Sequence, residues 1–248
     1  MKRVFVPGIN GLGKTKGCEL NLNYIPDPES FERIKTNNKN VLEQLSEISE
    51  KTKKYFNHNG RVFFFGGDHS ISFPLVRNFF EKFGNQARLI VFDAHPDLMK
   101  PMPEPTHEEW VRAVVELGFK PENILIAGVR RNSENIDKKE IKFAKDKGIS
   151  LIYSDDFGKR TDEIIKFAKT GILYVSLDID VFDSSLISKT GYPEAGGLSK
   201  GFFDLFNELS LLGGFKFLDL VEMNLSLKSS NDQSPEFYKE LRRIFEKQ

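Results

Sequence analysis

The sequence predicts one α/β domain over residues 1–248, a mainly parallel sheet with helices on both faces. Three observations predict it. Short runs rich in Val, Ile, Leu and Phe alternate with longer stretches whose apolar residues recur at helical spacing. Several of those runs end in clusters of Asp, His and Gly, and the carboxyl edge of a parallel sheet is where ligands bind. No internal repeat, low-complexity tract or long linker divides the 248 residues, a length that suits one large α/β domain.

Arg3 to Val6 reads as a first strand. The loop from Pro7 to Gly17 contains Gly8, then four residues, then Gly13-Lys14-Thr15, which meets the phosphate-loop pattern. A phosphate loop needs a helix to begin at once, so that its amino end faces the anion. Lys16 to Pro26 reads poorly as that helix, and no second nucleotide motif accompanies it. Glu29 to Phe56 carries Phe31, Ile34, Val41, Leu42, Leu45 and Ile48 at helical spacing, predicting one or two helices on the sheet. Asn57-His58-Asn59-Gly60 is a turn, with His58 facing water.

Val62–Phe65 is the next strand, followed by Gly66-Gly67-Asp68-His69-Ser70 and a helix over Phe73–Phe83. Arg88–Phe92 is a strand leading into Asp93-Ala94-His95-Pro96-Asp97. Three prolines keep Leu98–Pro105 irregular. Thr106 and Glu109 have the spacing of a capping box, starting a helix through Leu117 and placing His107 at its first turn. The pattern then gives strand Asn123–Val129, helix Asp137–Lys147, strand Ile149–Tyr153 and helix Thr161–Lys169. Gly171–Val175 runs as a strand into Ser176-Leu177-Asp178-Ile179-Asp180-Val181-Phe182-Asp183. The loop Lys189–Ser199 precedes helix Lys200–Leu212, strand Phe215–Val221 and a closing helix from about Ser234 to Glu246. The strands number about seven.

Lys+Arg equals Asp+Glu, 36 of each, so no broad positive field invites nucleic acid. Cys18 is the only cysteine, which excludes an internal disulfide and a thiolate metal cluster and suits a reducing compartment. The first residues are too quickly interrupted for a signal peptide, and no apolar run has membrane-spanning length. These features lead us to expect a soluble cytoplasmic protein that binds neither membrane nor nucleic acid. The 23 phenylalanines supply core area and carry no functional signal.

The chemistry lies in the strand ends. Side chains two apart in a strand share a face, so Asp93, His95 and Asp97 can converge, as can Asp178 and Asp180. Pro96 nevertheless suggests that the strand has stopped. Burying that many carboxylates without cations is costly. Oxygen and imidazole donors suit Mn²⁺, Fe²⁺ or Zn²⁺. Carboxylates bridging two cations are the plan of a binuclear hydrolase. A nearby histidine can carry the proton to a leaving amine, and a carboxylate such as Glu222 can pair with a cationic substrate. A metallophosphoesterase would need later histidine motifs, but all four histidines are His58, His69, His95 and His107.

The segments Gly66–Ser70, Asp93–Asp97 and Ser176–Asp180 occur in the order of the three signature motifs of the ureohydrolases, the family of arginase, agmatinase and formimidoylglutamase. The resemblance extends to Pro193-Glu194-Ala195-Gly196-Gly197-Leu198 and Asp219–Asn224, covering residues 60 to 225. It implies a doubly wound three-layer α/β/α fold and a site for two Mn²⁺ per subunit. In that pattern Asp93 and Asp178 bridge the ions, His69 and Asp97 complete one, and His95 and Asp180 complete the other. Activated water attacks the guanidinium carbon, giving urea and an amine. Glu222 matches the guanidinium-binding glutamate and His107 the proton carrier, with Tyr192 and Glu194 also on the substrate side. The resemblance also implies a homo-oligomer, a trimer or hexamer.

This sequence departs from the family pattern in places. Asp183 is followed by Ser184 rather than Pro, Asn224 by Leu225 rather than Pro, and the family's Gly-Thr-Gly-Thr-Pro reads Lys189-Thr190-Gly191-Tyr192-Pro193. Tyr192 would narrow or reshape the guanidinium pocket. The loop Leu98–Thr106 lacks the Asn and Ser groups that read an α-amino acid, which favours agmatine over L-arginine. A metal-binding family member without ureohydrolase activity is the alternative from another functional class.

Overall fold

The computed structural model describes residues 1–7, 30–36, 40–103, 105–223, 240 and 243. One eight-stranded sheet runs through them, every paired strand parallel to its neighbour. The strands are β1 (Lys2–Phe5), β2 (Glu32–Arg33), β3 (Val62–Phe65), β4 (Ala87–Phe92), β5 (Ile124–Val129), β6 (Ser150–Tyr153), β7 (Ile172–Asp178) and β8 (Phe215–Val221). The helices are α1 (Val41–Thr52), α2 (Ser72–Phe83), α3 (Trp110–Glu116), α4 (Lys138–Lys147), α5 (Thr161–Ala168) and α6 (Gly201–Ser210). The strand order is β2-β1-β3-β8-β7-β4-β5-β6, so β7 and β8 enter between β3 and β4.

Alternation along each strand builds two cores. Val62 and Phe64 of β3, Leu89 and Val91 of β4 and Tyr174 of β7 pack with Leu75, Val76, Val111 and Ala144 from α2, α3 and α4. Phe63, Phe65, Ile90, Phe92, Val175 and Leu177 face the other way, onto Ile164, Phe202, Phe206 and Leu209 of α5 and α6. Helices thus cover both faces, which explains why the central strands read as continuous apolar runs. Among the described residues no helix is long and apolar enough to cross a membrane.

The region before β3 differs from expectation. Phe31 and Ile34 are not a helical stripe: they flank the two-residue edge strand β2 and bury on opposite sides of the sheet. That strand makes the count eight rather than seven. Helix α1 starts only at Val41, where the Asn40 side chain accepts the Glu43 N–H at 2.9 Å. The capping box expected at Thr106 does not form there, because Thr106 donates its hydroxyl to Glu109 and α3 begins at Trp110. Asp137 and Glu140 form one instead, at the start of α4. His58 is exposed, its Nδ1 accepting from the Gly60 N–H. The Gly-rich loop from Gly8, Cys18 and the closing helix fall outside the described residues, except for Glu240 and Arg243.

Candidate metal centre

The spacing of the ligand motifs has a local cause that differs from strand alternation. Strand β4 ends at Phe92, before Asp93. One oxygen of Asp93 accepts the His95 N–H at 2.7 Å, and one oxygen of Asp178 accepts the Asp180 N–H at 2.8 Å. Each leading aspartate thus closes a tight turn on the residue two ahead. The turn swings the second side chain back beside the first and leaves the aspartate's other oxygen facing His69. Asp68 begins the third segment in the same way, accepting the Ser70 N–H at 3.2 Å. Gly128 admits the neighbouring strand end: its φ is +106°, and a Cβ there would sit 2.2 Å from Val181 Cγ2 and 3.0 Å from the Asp93 carbonyl oxygen.

These turns bring the six expected ligands together. His69 Nδ1 lies 3.0 Å from Asp93 Oδ2, 3.1 Å from Asp97 Oδ2 and 3.2 Å from Asp178 Oδ2. His95 Nδ1 lies 3.1 Å from Asp180 Oδ2 and 3.6 Å from Asp93 Oδ1. Among the described residues two groups able to hold an ion emerge, His69–Asp93–Asp97 and Asp93–His95–Asp180, and Asp93 belongs to both. Asp180 Oδ1 accepts the Ala94 N–H at 3.1 Å, tying the two motifs to each other.

The donor set fits divalent cations. Asp93 Oδ2 is buried and makes no hydrogen bond despite its proximity to His69. Burial and the charge of Asp93 push the Asp97 carboxyl up to about 8. Burial, with Asp180 and Asp93, raises Asp178 well above the usual carboxylate range. Burial would lower the His69 imidazole, but Asp178, Asp93 and Asp97 raise it well above its ordinary value. So many buried acids with only two imidazoles among them lack positive charge, which cations supply.

A further set of residues holds these candidate ligands. Trp110 donates its indole N–H to Asp97 Oδ2 at 2.7 Å. His69 Nε2 is 2.9 Å from Ser176 Oγ, whose own proton goes to Asp219 Oδ1 at 2.6 Å. Ser176 must therefore accept from His69 Nε2–H, leaving the Nδ1 lone pair for an ion. Tyr174 and Ser72 also donate to buried Asp219. Burial raises the Asp219 carboxyl above its usual value. Asp97 (φ +51°) and Glu222 (φ +60°) are the non-glycine residues with positive φ among those described, and both lie at this centre. Such backbone costs roughly 1–3 kcal/mol and concentrates at functional sites.

The remaining expected residues surround the centre. Glu222 is buried and accepts the His69 N–H at 2.6 Å. His107 is buried and precedes α3 rather than standing in its first turn, and neither ring nitrogen has a hydrogen-bond partner. Its ring stacks near Tyr192, centroids 6.3 Å apart and planes at 28°. Tyr192 stands edge-on to His95 at 6.4 Å. Glu194 Oε1 is 3.5 Å from His95 Nε2 and accepts from Ser133 Oγ at 2.6 Å. Sequence reasoning assigned nothing to Trp110, Ser176, Asp219, Ser133 or Arg130. Polar Ser176 and Asp219 inside otherwise apolar strands are the signal that could have marked two of them.

The fold and the site define a parallel α/β protein whose carboxyl edge gathers carboxylates and imidazoles for divalent cations. The chain belongs to the arginase family, whose sequence pattern matches residues 19–242. An agmatinase from Pyrococcus horikoshii is 32% identical over 164 residues, covering 65% of this chain and 53% of that protein. The chain thus spans about half the length of that relative. An arginase from Staphylococcus aureus is 28% identical over 217 residues, covering 77% of this chain and 69% of that protein. The solved arginase from Bacillus subtilis superposes with a TM-score of 0.79 at 21% identity, covering 99% of this chain and 96% of that one.

Proposed function

We propose that residues 1–248 form one catalytic domain that hydrolyses a guanidino compound to urea and an amine, with two Mn²⁺ ions per chain and agmatine as the favoured substrate. The observation that carries this reading is Asp93, shared by two carboxylate–imidazole groups and burying an oxygen without a hydrogen bond. His69, Asp93, Asp97 and Asp178 would hold one ion, and Asp93, His95, Asp178 and Asp180 the other. When bound, the ions supply Lewis acidity and a water acidic enough to attack at neutral pH.

The chain's own residues do the rest. Glu222, fixed by the His69 N–H, accepts hydrogen bonds from the guanidinium with its other oxygen. His107, whose ring nitrogens make no hydrogen bond and whose Nε2 lies 3.9 Å from Glu108 Oε1, hands a proton to the departing amine so that it leaves neutral. Tyr192, half-buried beside His95 and His107, covers the guanidinium plane and excludes water. Residues 98–103 hold no Asn or Ser to read an α-amino acid, which supports agmatine over L-arginine.

An arginase among the relatives keeps L-arginine as the second substrate to test. Urea release after Mn²⁺ loading, with agmatine, L-arginine and ω-guanidino acids side by side, decides the matter. Urea from agmatine alone is expected. Two ions bound with no urea from any of them would leave a metal-binding family member of different function. Light scattering reads the assembly, for which this reading expects a trimer or hexamer.

A further inference from the structure

The ring of His69 is oriented from below through Ser176, but no strand residue performs that service for His95. Its Nδ1 faces Asp180 and Asp93, and its Nε2 faces Glu194 Oε1 at 3.5 Å. That same oxygen accepts Ser133 Oγ at 2.6 Å and Asn135 Nδ2 at 2.5 Å, both from the connection between β5 and α4. Two donors on one oxygen fix the carboxylate in place. The loop that carries it is also pinned. Buried Arg130 donates to the Asp180 carbonyl at 2.9 Å and to the Ala195 carbonyl at 3.3 Å, joining the backbone of a candidate ligand to that of the Glu194 loop.

We infer that Glu194 is a positioning residue for His95, with Ser133 and Asn135 holding it in place, rather than a direct substrate contact. A neutral imidazole has one N–H, so ligation through Nδ1 requires the proton on Nε2. A carboxylate facing Nε2 selects that tautomer, fixes the ring plane and makes the opposite nitrogen a better donor. The inference rests on Asp93, His95 and Asp180 being an ion site, as proposed above.

The test loads wild-type protein, Glu194→Ala, Glu194→Gln and Ser133→Ala with Mn²⁺. Bound metal is counted by elemental analysis and its release to a chelator is timed. Expected is two ions in the wild type, with one of them bound roughly 10–100-fold more weakly in Glu194→Ala. Glu194→Gln should recover part of the loss, since its amide oxygen still accepts, and Ser133→Ala should show a smaller loss in the same direction. On any guanidine that is turned over, kcat should fall while KM stays within about twofold, as for a residue that acts through a ligand. Wild-type metal affinity in Glu194→Ala with a raised KM would overturn the inference in favour of substrate contact. Wild-type values throughout would overturn it outright. If the wild type itself binds fewer than two ions, the proposed centre fails and this inference fails with it; two ions in the wild type and no change in the variants breaks this inference alone.

Discussion

The two halves of the centre are built from different material. His69, with 2% of its side chain exposed, sits over the sheet among Ser176, Asp219, Trp110 and the Glu222 carboxylate. His95, with 17% exposed, leans on Glu194 and Tyr192 from the loop between β7 and α6. One half is therefore as rigid as the strands beneath it, and the other as secure as a surface loop. Their ions should leave in sequence, the His95 ion first.

Asp93→Ala would erase the comparison, since that side chain serves both halves. Loss of both ions and of all urea release is expected, exceeding the roughly 10–100-fold effects of outer contacts. Binuclear metal retained in this variant would refute the shared-ligand assignment. His107→Ala should leave both halves loaded and cut kcat by about 10²–10⁴-fold, the range of general acid catalysis. An unchanged rate would make His107 a packing residue. Trp110→Phe keeps the ring and removes the bond to Asp97, so it should weaken the His69 ion alone, by roughly 10–100-fold in chelator competition. Gly197→Ala addresses the loop half. Its Cβ would meet Arg130 Nη2 at 2.2 Å and Asp183 N at 2.4 Å, costing about 1–3 kcal/mol by overpacking. A lowered Tm with faster release of the first ion is expected, and a wild-type Tm would show that the loop can shift.

Sequence spacing marked the candidate ligands because their turns are local: an aspartate reaching two residues ahead needs nothing from the rest of the chain. The central strands were legible for a similar reason, being buried on both faces and uniformly apolar. Edge strand β2 was not, because two charged residues paired on one side with β1 carry no period. Phe31 and Ile34 fit a helical spacing by chance, and the sheet overrode it. The residues behind the ligands were illegible for a third reason. Asp219 and Ser176 are 43 positions apart, and only the register of β7 with β8 puts them side by side.

That strand order also sets when the centre can exist. His69 follows β3 and Asp93 follows β4, yet β8 and β7 lie between those strands and are synthesised after both. A nascent chain carrying the first two motifs holds them on strands that are not yet neighbours, with acids and no frame. Cation affinity should thus appear late, once β7 and β8 have entered the sheet, and stalled chains ending before Gly171 should not retain Mn²⁺. Acquisition of metal would then report that β7 and β8 have taken their places between β3 and β4.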